Sequence, residues 1–102
     1  MLKFEQKGFY MEDWVNSYRV TGIVCRTVRG LINQILEEYP DAHGYIGIGN
    51  DANFPLGKPY CEYRNGKLLT KLPDRFQKLA IQTVKAYGDD DRMDYRVVIT
   101  YV

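Results

Sequence analysis

The dipeptide Asn65-Gly66 constrains this chain more than any other feature. It joins Tyr60-Cys61-Glu62-Tyr63-Arg64 to Lys67-Leu68-Leu69-Thr70-Lys71. A two-residue loop of this kind needs positive φ at both central positions, which Asn and Gly accept, and it closes a type I′ β-hairpin. An isolated hairpin is marginal in water, so these strands require a larger sheet with one apolar face. With Arg64 opposite Lys67, Tyr63 meets Leu68 and Cys61 meets Thr70 on one side. Glu62 meets Leu69, and Tyr60 meets Lys71, on the other. Cys61, Tyr63 and Leu68 read as the core side. Tyr60, Glu62, Arg64, Lys67 and Lys71 read as the outward side.

The rest of the chain supplies the partners of that hairpin. Tyr18–Cys25 is rich in β-branched residues and reads as a strand. Trp14, Tyr18, Cys25, Val28, Ile32, Ile35 and Tyr39 also fall at helical spacing, which leaves one long helix over 12–39 as the alternative. Thr27 is placed to cap a helix running to Tyr39, with Val28, Leu31, Ile32, Ile35 and Leu36 as its inner stripe and Pro40 as its stop. Gly44–Gly49 reads as a strand, followed by an irregular loop, Asn50–Pro59. Pro73-Asp74 open a second predicted helix, with Phe76, Leu79, Ala80, Thr83, Val84 and Tyr87 inward and Gly88 as its left-handed stop. The acidic run Asp89-Asp90-Asp91 leads to a last strand, Tyr95–Val102, expected at a sheet edge where it can pair across a homodimer.

The expected order is β-α-β-hairpin-α-β. It predicts an α+β two-layer sandwich, ferredoxin-like, with both helices on one face of a mixed or antiparallel sheet. One domain spans 1–102, with residues 1–17 as a peripheral arm, in which the weak alternation of Leu2, Phe4 and Gln6 allows either a peripheral strand or a loosely docked segment over 2–10.

Composition narrows the function classes. The chain has 102 residues, 14 Lys+Arg against 13 Asp+Glu, and 45% hydrophobic residues, which fits a globular domain and not a disordered one. No apolar run is long enough to span a bilayer, and Met1-Leu2-Lys3-Phe4-Glu5 lacks the apolar region of a signal peptide. A cytoplasmic chain with two reduced thiols, Cys25 and Cys61, is the expectation. A net charge of +1 argues against a strong polyanion binder.

Alternation adds Arg19, Thr21, Arg96 and Thr100 to the outward side of the hairpin if all these strands share one sheet. A basic, tyrosine-bearing face results. The reading is a non-enzymatic binding or regulatory module that docks a protein partner or small effector, with Arg19, Tyr60, Arg64, Lys67, Lys71 and Arg96 as contacts. Trp14, near Phe9, Tyr10 and Met11, and the loop Asn50–Gly57 are secondary contacts, since Trp and Tyr dominate interface hot spots. The same face could stack bases and neutralise phosphates of a single-stranded nucleic acid. It could also be a solvated surface whose Lys and Arg discourage aggregation.

Other motifs fail on their mechanics. Gly47-Ile48-Gly49-Asn50-Asp51-Ala52 has the letters of a dinucleotide fingerprint, but Asn53-Phe54-Pro55-Leu56-Gly57 cannot open the helix that would receive a pyrophosphate. His43 with Cys25 or Cys61 would be a thiol–imidazole pair, the basis of a small Cys/His enzyme, yet no local signature accompanies it. One His and two distant Cys offer no metal-ligand spacing, and Asp89, Asp91 and Asp94 lack the glycine and distal glutamate of a calcium loop. No cofactor or metal is expected.

Two short segments resemble known families. Tyr18–Cys25 followed by Arg26-Thr27-Val28-Arg29-Gly30-Leu31 resembles the first strand-turn-helix of ACT-type regulatory domains. Gly30 stands where that family keeps a glycine near its amino-acid ligand, while Val28 and Arg29 replace its common acidic residue and proline. Tyr45-Ile46-Gly47-Ile48-Gly49-Asn50-Asp51 resembles part of gyrase-inhibitor-like effector-binding domains. Neither resemblance covers half the chain, and no family is assigned from them.

Overall fold

The computed structural model describes residues 1–10, 15–49 and 59–102. Its elements in chain order are β1 (Lys3–Tyr10), β2 (Val15–Thr21), α1 (Val28–Glu38), β3 (His43–Gly49), β4 (Pro59–Arg64), β5 (Lys67–Leu68), α2 (Asp74–Gln77), β6 (Ile81–Asp89) and β7 (Asp94–Tyr101). The strands form one mixed sheet in the order β1-β2-β6-β7-β3-β4-β5. The β3–β7 pair is parallel and every other neighbouring pair antiparallel. The β2-α1-β3 crossover therefore joins two strands that run the same way, and the β6–β7 hairpin is inserted between them.

This corrects the ferredoxin-like expectation. Strands dominate, with seven in one sheet among the described residues, and α1 is the one helix longer than a single turn or so. The error lies in 73–87. Pro73-Asp74 do open a helix, but it stops at Gln77, and Ile81–Asp89 is a strand. Ile81, Thr83 and Val84 are β-branched, and β6 pairs with β7 from Ile81 to Asp89 and with β2 over Lys85–Gly88, so those pairings satisfy its backbone groups. Long-range pairing overrides the helical spacing of the apolar residues.

The position of β7 is a second correction. It is flanked by β6 and β3, so Tyr95–Val102 is not an edge and cannot pair across a dimer. The edges are β1 and the two-residue β5. Of the two alternatives for the start of the chain, the strand holds along 3–10: β1 is an edge strand paired with β2 from Lys3↔Thr21 to Tyr10↔Val15, with a bulge at Lys7.

Several local expectations are met. Over the described residues 15–39 the chain is strand plus helix and not one long helix, although the strand, Val15–Thr21, begins and ends earlier than the expected Tyr18–Cys25. Thr27 is extended (φ −104°, ψ 155°), and its Oγ1 accepts from the Gly30 amide at 3.1 Å, capping α1. Val28, Leu31, Ile32 and Ile35 form the buried stripe. Asn65 and Gly66 both have positive φ (54° and 73°), as the type I′ turn requires. Gln34, buried on α1, accepts from the Val24 amide at 3.2 Å and donates to the Gly22 carbonyl at 2.9 Å, which ties the β2–α1 connection to the helix.

The core lies between α1 and one face of the sheet. Tyr18, Val20, Ile46, Ile48, Cys61, Tyr63, Ala86, Tyr95, Val97 and Ile99 meet the helix there. At one end of the core, Phe4 stacks on Tyr95 (centroids 4.3 Å apart, 7° between planes) and meets Tyr18 and Tyr39 edge-on. These rings fasten β1 to the globule. Among the described residues, no helix is long and apolar enough to cross a membrane.

Candidate functional site

Strand alternation divides the side chains cleanly. Because Tyr63, Ile46, Val97, Ala86, Tyr18 and Phe4 point toward α1, their chain neighbours point away from it. That distal face carries Arg64 and Glu62 on β4, Tyr45 and His43 on β3, and Arg96 and Asp94 on β7. It continues with Lys85 and Tyr87 on β6, Arg19 and Ser17 on β2, and Lys3, Glu5 and the bulged Lys7 on β1. Lys67 faces the same way, opposite Arg64.

Cations dominate this surface. Lys3, Lys7, Arg19, Lys85, Arg96, Arg64 and Lys67 are set against Glu5, Glu62 and Asp94. Asp89 also lies on this side, but its carboxylate caps the Asp91 amide at 2.9 Å and pairs with Arg92 at 3.8 Å. That is the one ion pair between described residues. The Arg96 guanidinium lies over the Tyr45 ring, 5.6 Å from its centroid, and Tyr45 is 40% exposed. Tyr87 is largely buried, and burial raises its hydroxyl above the ordinary tyrosine range.

Of the contacts expected from sequence, Arg19, Arg64, Lys67 and Arg96 fall on this one face. Lys71 does not join them. The last ladder bond runs from the Leu69 amide to the Glu62 carbonyl at 2.8 Å, and Leu72, buried at 1% exposure, draws the chain inward, so β5 ends at Leu68. The expected Cys61–Thr70 and Tyr60–Lys71 pairs are therefore not formed. Tyr60 lies in β4, but only its backbone is described. Trp14 and the loop Asn50–Gly57 lie outside the described residues.

Among the residues of the face that escaped the sequence reading are Lys7, Tyr45, Lys85 and Tyr87. Lys85 and Tyr87 were hidden by the helical reading of 73–87, in which Tyr87 was turned inward. The β-branched content of Ile81–Val84 was the signal available. Tyr45 sits two residues before Gly47 on a strand that was recognised, and alternation against Ile46 would have turned it outward.

The thiol–imidazole pair is not assembled. Cys61 is in the core and His43 is on the distal face of the neighbouring strand, paired with Arg64 and Asp94. Cys25 and Cys61 are both free thiols, each pushed above its usual pKa by burial, Cys61 despite the charge of Arg29. No group of three or more His, Cys, Asp or Glu able to hold a metal ion occurs among the described residues. Comparison of the chain with protein families, curated proteins and solved structures finds no match.

Proposed function

We propose that this chain is a non-enzymatic binding module that docks an acidic protein segment through the distal face of its sheet, in the cytoplasm. The observation that carries this reading is the run of Lys7, Arg19, Lys85, Arg96, Arg64 and Lys67 across one sheet face, with fewer carboxylates between them. A sheet holds the backbone positions of these cations at fixed spacing, so complementary carboxylates gain charge pairing without ordering the receptor's backbone.

The same face is less suited to single-stranded nucleic acid. Such sites interleave cations with several exposed aromatic rings on which bases stack. Tyr45 is the one aromatic described as exposed here, and Arg96 already occupies the space over its ring. Glu5, Glu62 and Asp94 would face phosphates directly.

The test is fluorescence anisotropy with a labelled Asp/Glu-rich peptide and a labelled single-stranded oligonucleotide of equal length. The peptide should bind more tightly, and affinity should fall with salt. Replacing Arg64→Glu and Lys67→Glu together should weaken peptide binding by about tenfold. Tighter binding of the oligonucleotide under the same conditions would replace the protein-docking reading with nucleic-acid binding.

A further inference from the structure

The ladder places Arg19 of β2 directly opposite Lys85 of β6. Like charges directly opposite each other in a sheet repel, and this pair, although exposed, lies on two interior strands of the sheet. Lys7 joins them. The β1 register slips between Gln6 and Gly8, and the extra residue puts Lys7 beside both neighbours. It lines a depression of about 140 Å³ with Ser17, Lys85 and Tyr87, and a second of about 280 Å³ with Glu5, Gln6 and Arg19. Glu5 faces Arg19 from β1, but neither it nor any other described carboxylate forms an ion pair with these cations. The notch thus gathers Lys7, Arg19 and Lys85 against the single carboxylate of Glu5.

We infer that Lys7, Ser17, Arg19 and Lys85 form a subsite for a tetrahedral oxyanion, the phosphomonoester of a phosphorylated side chain in the docked segment. This rests on the acidic-partner reading above and adds its chemical specificity. A phosphomonoester carries close to two negative charges and three acceptor oxygens. Those match the excess of cations around Lys7 and the Ser17 hydroxyl, whereas one carboxylate brings a single charge to three cations. The guanidinium supplies a forked donor, the two ammonium groups act as point charges, and the Ser17 hydroxyl can donate to a remaining oxygen. Binding here removes a repulsion built into the ladder.

The experiment is an amide NMR titration of the full chain with three probes: an Asp/Glu-rich peptide carrying one phosphoserine, the same peptide with serine, and inorganic phosphate. The phosphopeptide should bind about tenfold tighter than its serine counterpart, with the largest shifts at Lys7, Ser17, Arg19 and Lys85. Arg19→Gln with Lys85→Gln should weaken the serine peptide as well and erase the phosphopeptide's advantage over it, and Lys78→Gln should change neither. Equal affinity of the two peptides would overturn the subsite and leave the docking face standing. Binding of inorganic phosphate at the notch with no preference for the phosphopeptide would also overturn it, since the source would then be free phosphate. Failure of both peptides to bind would overturn the docking face and the subsite together.

Discussion

The phenol of Tyr63 on β4 donates a 2.7 Å hydrogen bond to the carbonyl of Tyr95 on β7, reaching across the strand that separates them. The residue crossed is Gly44 of β3, paired with Tyr63 in the ladder. A Cβ at Gly44 would lie 2.1 Å from the Tyr95 carbonyl oxygen, so the bond exists because that position has no side chain. Three strands are locked by one buried hydroxyl and one absent methyl group.

Tyr63→Phe leaves the Tyr95 carbonyl without this donor and should cost about 1–2 kcal/mol. Gly44→Ala forces backbone apart at a residue with φ of 150° and should cost more than about 2 kcal/mol. Urea unfolding of both variants checks the order. Equal stability of Gly44→Ala and the parent chain would contradict the close approach.

The cap of α1 gives a second test. Thr27→Ala removes the acceptor for the Gly30 amide and should lower stability by about 1 kcal/mol, while Thr27→Ser should lower it by much less. The difference in urea midpoint at unchanged slope is the measurement.

Acid should loosen the start of the chain. The Glu38 carboxylate accepts from the Leu2 amide at 2.7 Å, and that bond, with one from Gln34, holds its pKa below the ordinary value of 4.5. A depressed carboxyl stabilises the fold above its unfolded pKa, and that contribution is lost as pH falls through the folded value. Protection of the Leu2 amide from hydrogen exchange should therefore drop on acidification below about 4.5. Glu38→Gln should show weaker protection that no longer varies with pH.

Alkali should loosen the core as well. Tyr18, Tyr39, Tyr63, Tyr87 and Tyr95 are all raised above 10.0 by burial first, and Tyr95 also by Asp90, which accepts its hydroxyl. A raised phenol favours the folded state until the unfolded pKa is reached, so stability is full below about 10.0 and falls as pH climbs above it. Phenolate absorbance from these residues should rise together with loss of the fold, as a cooperative step. Smooth, independent titration with the far-ultraviolet dichroism unchanged would contradict their burial.

How much of this was legible varied with the range of the interactions involved. The hairpin at Asn65-Gly66 and the capped helix after Thr27 depend on residues within a few positions of each other, and both were readable. The sorting of Cys61 and Tyr63 from Glu62 and Arg64 followed from turn geometry alone. Ile81–Asp89 was not readable, because Phe76, Leu79, Thr83 and Val84 fit a helix as well as a strand when their partners are unknown. The candidate face suffered from the same error, which concealed Lys85 and Tyr87.

The sequence by itself determined the local pieces: the I′ turn, the cap and inner stripe of α1, and the in-and-out alternation of each strand it revealed. Those depend on φ preferences, short hydrogen bonds and side-chain periods, which neighbouring residues settle among themselves. Only the tertiary structure decided that β7 is central, that β6 is a strand between β2 and β7, and that Arg19 meets Lys85. Each of these is a pairing between distant segments, set by which backbone edges remain to be satisfied once α1 has covered the core.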